Sequence, residues 1–172
     1  IMLPAGLKEI LNYSTWLSVD DKTNIYPLYT VDQYLKTNLI SRHPKLNFIR
    51  IKSDDLNADL LLNIKFDRTA VIVLDTDEVH AMLEQREAFF ELMNNDIKAP
   101  VIILRKYTNE NDVVNGHVGE RHASPLHARS LLYAATDIGG LLIDGLGDGA
   151  WLKITNNFVE DGHAHPIVTI KF

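Results

Sequence analysis

The sequence predicts an α/β fold with a mainly parallel sheet and right-handed βα crossovers. Three observations lead there. Continuous apolar runs such as Ala70 to Leu74 (AVIVL) have the composition of parallel strands covered on both faces. Stretches with helical spacing of apolar residues alternate with those runs, the pattern of right-handed βα crossovers. The length, 172 residues, fits one domain spanning 1–172. It falls short of the roughly 200 residues or more that a closed eight-stranded barrel needs, so a truncated TIM-barrel-like domain or an open α/β sheet is expected.

The elements follow in order. Residues 1–29 read as an irregular N-terminal arm, because Trp16, Tyr26 and Tyr29 recur with little period. Thr30 then opens a helix through a capping box with Gln33, and Val31, Tyr34, Leu35 and Leu39 follow at helical spacing. Leu46 to Ile51 is a strand, and Ser53-Asp54-Asp55 opens a short helix through Leu62. After the Ala70 strand, Asp77 to Met93 is expected to be the longest helix. Its apolar stripe is Val79, Met82, Leu83, Phe90 and Met93, with Asp77 and Glu78 at its positive end. Val101 to Leu104 is the next buried strand, followed by a long polar loop from Lys106 to Ala123. Ser124-Pro125 starts a helix, lined on one face by Leu131, Leu132, Ala135 and Ile138, with Gly139 as its stop. Gly140 to Ile143 then reads as a strand, Gly145 to Gly149 as a tight turn, and Ala150 to Thr155 and Pro166 to Phe172 as further strands.

Hydrophobic residues make up 46% and charged residues 23%, which places the chain among ordinary globular proteins able to bury a core. There is no cysteine, so disulfides, thiolate ligands for an iron–sulfur cluster and a Cys nucleophile are all excluded from this chain. The net charge of −6 argues against non-specific nucleic-acid binding. No apolar window is long enough for a membrane helix and no signal-peptide pattern is visible, so no nucleic acid and no membrane are expected as partners, and the location expected is cytoplasmic. A chain that opens on Ile1 reads as an excised piece.

The most informative segment is Leu131 to Thr155. The helix–strand–turn–strand reading places Asp144 and the turn Gly145-Leu146-Gly147-Asp148-Gly149 at the carboxyl edge of the sheet, where α/β folds bind ligands. Glycines there let backbone N–H groups approach an anion, which makes Gly145, Gly147 and Gly149 a possible anion-binding turn. The alternative is a tight turn that needs positive φ at glycine. No Gly-Lys-Ser/Thr follows, so it is not a P-loop.

The run Gly140-Leu141-Leu142-Ile143-Asp144-Gly145-Leu146-Gly147-Asp148-Gly149 resembles a stretch of the three-domain form of the 4-hydroxy-3-methylbut-2-enyl diphosphate synthase family, near the end of its inserted middle domain. Leu132 to Gly139 fits the same region, and Tyr29 to Leu35 resembles its early part more weakly. The resemblance implies a late step of the methylerythritol phosphate route to isoprenoids. The whole enzyme reductively opens 2-C-methyl-erythritol 2,4-cyclodiphosphate, using a [4Fe-4S] cluster and electrons from ferredoxin or flavodoxin. Family substrate and cluster positions lie outside this chain, so the resemblance implies no catalytic, cofactor-binding or metal residue here. It implies a structural inserted domain folded as a degenerate TIM-barrel-like domain, with the flanking domains of the same chain as partners. Asn156 to Phe172 has no counterpart in the resemblance.

Other constellations are weaker. His117, His122 and His127 recur every five residues, a step that does not share one helix face. His163 and His165 carry no stronger signal. Asp75, Asp144 and Asp148 fall after expected strands, where a barrel enzyme would hold catalytic acids, although Asp75-Thr76-Asp77-Glu78 also has the chemistry of a helix start. A stand-alone phosphate-ligand-binding enzyme would pair the glycine turn with Arg105 or Arg121, and the basic pair Arg105 and Lys106 after the third buried strand could meet a phosphate. A module recruiting an acidic electron donor is disfavoured by like charge. For the structural reading, Trp16 and the Tyr26 to Tyr29 arm are the candidate surface that partner domains cover.

Overall fold

A computed structural model describes residues 9–78, 81–108, 126–155 and 168–171. The fold is α/β, with parallel strands joined by βα crossovers. The chain forms two compact units, Ile1–Ile102 and Ile103–Phe172, and the division falls within one strand.

In the first unit the strands are β1 (Glu9–Asn12), β2 (Ile25–Thr30), β3 (Asn47–Ile51) and β4 (Ala70–Leu74). Each pairs in parallel with the one before it. That winding adds every strand on the same side of its predecessor, as a barrel does, and it contains no reversal of the doubly wound kind. All five residues of β4 are buried, as an apolar run covered on both faces requires.

The expected irregular arm is instead ordered structure. Residues 9–30 form β1, the short helix α1 (Tyr13–Leu17) and β2. The strand IYPLYT escaped notice because four of its six residues are buried, so no alternation of period two exists to be seen. Trp16, Tyr26 and Tyr29 are buried at 6%, 1% and 0% exposure, so they are not a surface patch. The Trp16 indole N–H donates to the Ile25 carbonyl at 3.1 Å, and Tyr13 stacks on Tyr29 at 4.5 Å.

Helix α2 (Val31–Lys36) opens with the expected capping box. The Gln33 amide donates to Thr30 Oγ1 and the Thr30 amide donates to Gln33 Oε1. It ends sooner than the apolar spacing suggests, and Leu39 lies in a separate 3-10 turn (Leu39–Ser41). A second 3-10 turn (Ser53–Asp55) precedes helix α3 (Ala58–Phe66), which is capped by Asn57 rather than Ser53: the Leu60 amide donates to Asn57 Oδ1 at 3.0 Å.

Helix α4 is described over Ala81–Asn94, and its stripe is inverted relative to expectation. The residues facing in are Ala81, Gln85, Ala88, Phe89 and Leu92, while Met82, Leu83, Phe90 and Met93 are exposed. Two apolar stripes share this helix, and spacing alone cannot say which one meets the sheet.

The second unit holds most of β5 (Val101–Thr108), then α5 (Leu126–Ile143), β6 (Gly149–Thr155) and β7 (Val168–Lys171), with β6 and β7 antiparallel. With 18 residues, α5 exceeds α4 as the longest described helix. The expected strand Gly140–Ile143 is the last turn of α5, and Gly139 is inside the helix. The run GLLI is short and apolar, a pattern that fits a buried strand and a buried helix turn equally. Leu132 and Ala135 face outward, while Ala134, Ile138 and Leu141 are the buried positions.

Candidate functional site

In a barrel-type sheet, chemistry belongs at the carboxyl ends of the strands. In the first unit, that edge is built by the ends of β3 and β4, held in register by Arg50 opposite Val73 and Ile51 opposite Leu74. The Asp75 amide donates to the Ile51 carbonyl at 2.8 Å, so Asp75 sits just beyond the ladder. Its carboxylate is fully buried and accepts from Arg50 Nε at 2.6 Å and from the Thr76 amide at 3.0 Å. Burying a carboxylate is tolerable because the guanidinium and the amide replace water.

The neighbours are paired as well. Lys52 Nζ meets the Asp77 carboxylate, whose hydrogen bond and charge hold the lysine pKa above its usual value. The Thr76 hydroxyl accepts from the Glu78 amide at 3.0 Å and donates to the Glu84 carboxylate on α4. The Gln85 amide, fully buried, donates to the Leu74 carbonyl at 3.3 Å. Asp75 to Glu78 thus fastens the strand end to the following helix and ties β4 to β3. To bind substrate, the cluster would first have to break an ion pair or a helix tether.

The opposite edge, formed by the αβ connections, carries a second network that the sequence reading missed. Arg42 NH1 donates to Asp67 Oδ2 at 2.8 Å, NH2 donates to the Tyr34 carbonyl at 2.8 Å, and the guanidinium lies 3.7 Å from the Tyr34 ring centre. The Tyr34 hydroxyl donates to the same Asp67 oxygen at 2.9 Å. Asp67 Oδ1 accepts from the Thr69 amide and hydroxyl. Burial alone would raise the Asp67 pKa, but the hydrogen bonds from Thr69, Tyr34 and Arg42 outweigh it and hold the carboxyl below its usual range. Burial also pushes the Tyr34 phenol up, helped by the Asp67 charge. The signal that could have found this network is Asp67-Arg68-Thr69, an Asx turn immediately before a strand. Beside it, between α2, the first 3-10 turn and α3, lies an open cleft of about 350 Å³ lined by Leu35, Leu39, Leu62 and Phe66 with Arg42 and Asp67 at its base. The cleft is on the αβ side, where barrels keep stability rather than chemistry.

In the second unit the Gly145 to Gly149 turn is displaced from its expected place. It joins the end of α5 to the start of β6, so it lies at the amino end of the strand, not at a carboxyl edge. The Gly145 amide donates to Leu142 O at 3.0 Å, and the Leu146 amide donates to Leu141 O at 2.9 Å. With Gly145 at φ 77°, this is a Schellman stop, in which the helix carbonyls consume those two amides. Gly147 also has positive φ, at 92°. Asp144 and Asp148 therefore follow a helix and precede a strand, and neither ends a strand. Arg105 lies in β5 and donates through Nε to Asp137 Oδ2 at 3.1 Å, alongside the Tyr107 hydroxyl at 3.0 Å. Burial pushes the Tyr107 phenol up to about 12, against the opposing pull of Arg105. Lys106 is in β5 as well, rather than in a loop. Arg121, His117, His122, His163 and His165 lie outside the described residues, as does the His127 side chain. Among the described residues, no three His, Asp or Glu side chains are grouped to hold a metal ion.

With this geometry in place, known proteins bear on the chain as follows. It is 27% identical over 150 residues to the 4-hydroxy-3-methylbut-2-en-1-yl diphosphate synthase (flavodoxin) of Parabacteroides distasonis, covering 87% of this chain and 21% of that protein. It is 26% identical over 147 residues to the enzyme of the same name from Phocaeicola vulgatus, covering 86% of this chain and again 21% of the relative. The chain is similar to one segment of this synthase. It spans about a fifth of the length of the curated relatives it matches. No protein-family model matches the chain. No solved structure matches it significantly.

Proposed function

We propose that the chain is the structural inserted domain of a 4-hydroxy-3-methylbut-2-enyl diphosphate synthase, and that it contributes no catalytic residue of its own. The observation that carries this reading is one of coverage. Similarity runs over nearly nine-tenths of this chain but only a fifth of each relative, as expected of one domain of a longer enzyme. The closed ion pairs at the β3–β4 edge are in keeping with it, since that edge holds charges already spent on one another.

On this reading the reaction, reductive opening of 2-C-methyl-erythritol 2,4-cyclodiphosphate, takes place on other parts of the polypeptide. A [4Fe-4S] cluster would supply the electrons to substrate there. The donor set of this chain does not fit such a cluster, because it contains no cysteine. Flavodoxin, which the relatives' names carry, or ferredoxin is the electron donor of the whole enzyme. A cytoplasmic location goes with the same reading. No described helix is long and apolar enough to cross a membrane.

The test uses the full-length polypeptide, the cyclodiphosphate and reduced flavodoxin. Lys52→Gln and Asp77→Asn remove the charges of the exposed pair nearest the barrel-type edge. With circular dichroism unchanged, each variant is expected to keep turnover within about threefold. A loss of about 100-fold or more, the size of a missing acid or base, would place chemistry in this domain and refute the structural reading.

A further inference from the structure

The helical layer of the first unit has two apolar faces. Its inward face meets the sheet through Leu60, Ile64, Phe89 and Leu92. Its outward face carries Leu62 and Phe66 on α3, at 56% and 75% exposure, and Met82, Leu83, Phe90 and Met93 on α4, at 37–68%. On α4 these four lie within an arc of about 100°, broken only by Arg86. The larger part of the helix's apolar volume thus points away from the sheet, while two alanines and a glutamine point toward it. The C-terminal ends of α3 and α4 meet, since Lys65 Nζ donates to the Asn95 carbonyl at 2.9 Å. Leu62 and Phe66 line the cleft beside α2 together with Leu35 and Leu39, so the α4 stripe stands as a surface of its own.

We propose that this outer face of α4 is the surface on which another domain of the same polypeptide packs. The proposal rests on the reading above, in which the chain is one domain of a longer enzyme, and it replaces the Trp16 and Tyr26–Tyr29 arm as the covered surface. The chemistry of the face selects the occupant. A transient partner such as an electron carrier leaves its docking surface in water between encounters, and such surfaces are small and polar. Four large apolar side chains in one arc of a single helix match a permanently covered, core-like interface. The curated relatives carry about four-fifths of their length outside the matching segment, so protein is at hand to cover it at the high effective concentration of a tethered domain.

The experiment is carbene footprinting of the full-length polypeptide, by photolysis of a diazirine label and mass spectrometry, with each residue referenced to the guanidinium-unfolded chain. The exposures of Met82, Leu83, Phe90 and Met93 correspond to no more than about a threefold drop in labelling if the face is open. The expected result is a drop of tenfold or more at all four, in a species that light scattering shows is unchanged on dilution. Labelling at the open-face level in an enzyme whose Lys52→Gln and Asp77→Asn variants keep their turnover overturns the docking face and leaves the structural reading standing. Protection that disappears on dilution to monomer assigns the face to a second copy and overturns the proposal. A gene that encodes no further domain overturns both.

Discussion

Replacing Gly139 and Gly145 by alanine, one at a time, moves stability in opposite directions if α5 runs through to Ile143. Gly139 is inside the helix, and a Cβ built there has no heavy atom within 4 Å. Alanine gains about 0.8–1 kcal/mol of helix propensity over glycine and meets no steric cost. Gly145 also has open space, but it holds φ 77°, where an L side chain costs roughly 1–2 kcal/mol. The Gly139→Ala chain is therefore expected to be more stable and the Gly145→Ala chain less stable, a spread of roughly 2–3 kcal/mol by urea unfolding. The opposite signs would refute the structure of this segment. A destabilising Gly139→Ala with a neutral Gly145→Ala is what a helix ending at Gly139, followed by a strand, would give.

On α4, Phe89→Ala is expected to cost about 3–5 kcal/mol and Phe90→Ala less than about 1 in the isolated chain, because Phe89 is 5% exposed and Phe90 is 52%; equal costs by urea unfolding would show the helix turned the other way. Arg42→Met leaves the Asp67 carboxylate buried without its cationic partner and is expected to cost about 3–5 kcal/mol. Asp67 has a depressed pKa when folded, so its contribution is complete above the unfolded value of about 3.9 and is lost as pH falls through the lower folded value; Asp67→Asn should flatten that acid limb in pH-dependent unfolding. Burial, followed by the Lys45 charge, lowers the His43 pKa, and its Nδ1 accepts from the Lys45 and Leu46 amides at 3.2 and 3.3 Å. Its contribution is therefore present above about pH 6.5 and fades as pH falls through the folded value; an NMR titration midpoint above 6.5 would contradict that arrangement.

The strands that were legible in the sequence are those buried on both faces with no competing pattern, as with Ala70 to Leu74, and the helix start with a two-way signal, Thr30 with Gln33. What was missed has physical reasons. Ile25 to Thr30 contains Pro27, which reads as a strand breaker, yet Pro27 pairs with Leu11 within the ladder. Gly139-Gly140 looks like a stop, but the stop needs left-handed backbone, and the first described glycine after them that adopts it is Gly145. Once the helix absorbed Gly140 to Ile143, the whole turn moved from the carboxyl end of a strand to the amino end of the next. The site reading depended on that single assignment. Arg105 resembles a phosphate contact in sequence because its partner, Asp137, is 32 residues away and no local pattern links them.

The two edges of the parallel strands in the first unit are both polar, and neither is free. At the β3–β4 carboxyl edge, Arg50 neutralises a buried Asp75, and Thr76 is held by Glu84. At the αβ edge, Arg42, Tyr34 and Asp67 satisfy one another in the interior. A catalytic edge differs in kind, because there a protein leaves donors and charges unsatisfied until the transition state satisfies them, at a cost in stability. Here the polar groups are spent on joining β2, β3 and β4 to their helices, while large apolar side chains that would have stabilised the interior stand on the outside of α3 and α4. On the proposed reading, paired edges and an apolar exterior belong to a domain whose outer helices another part of the polypeptide holds.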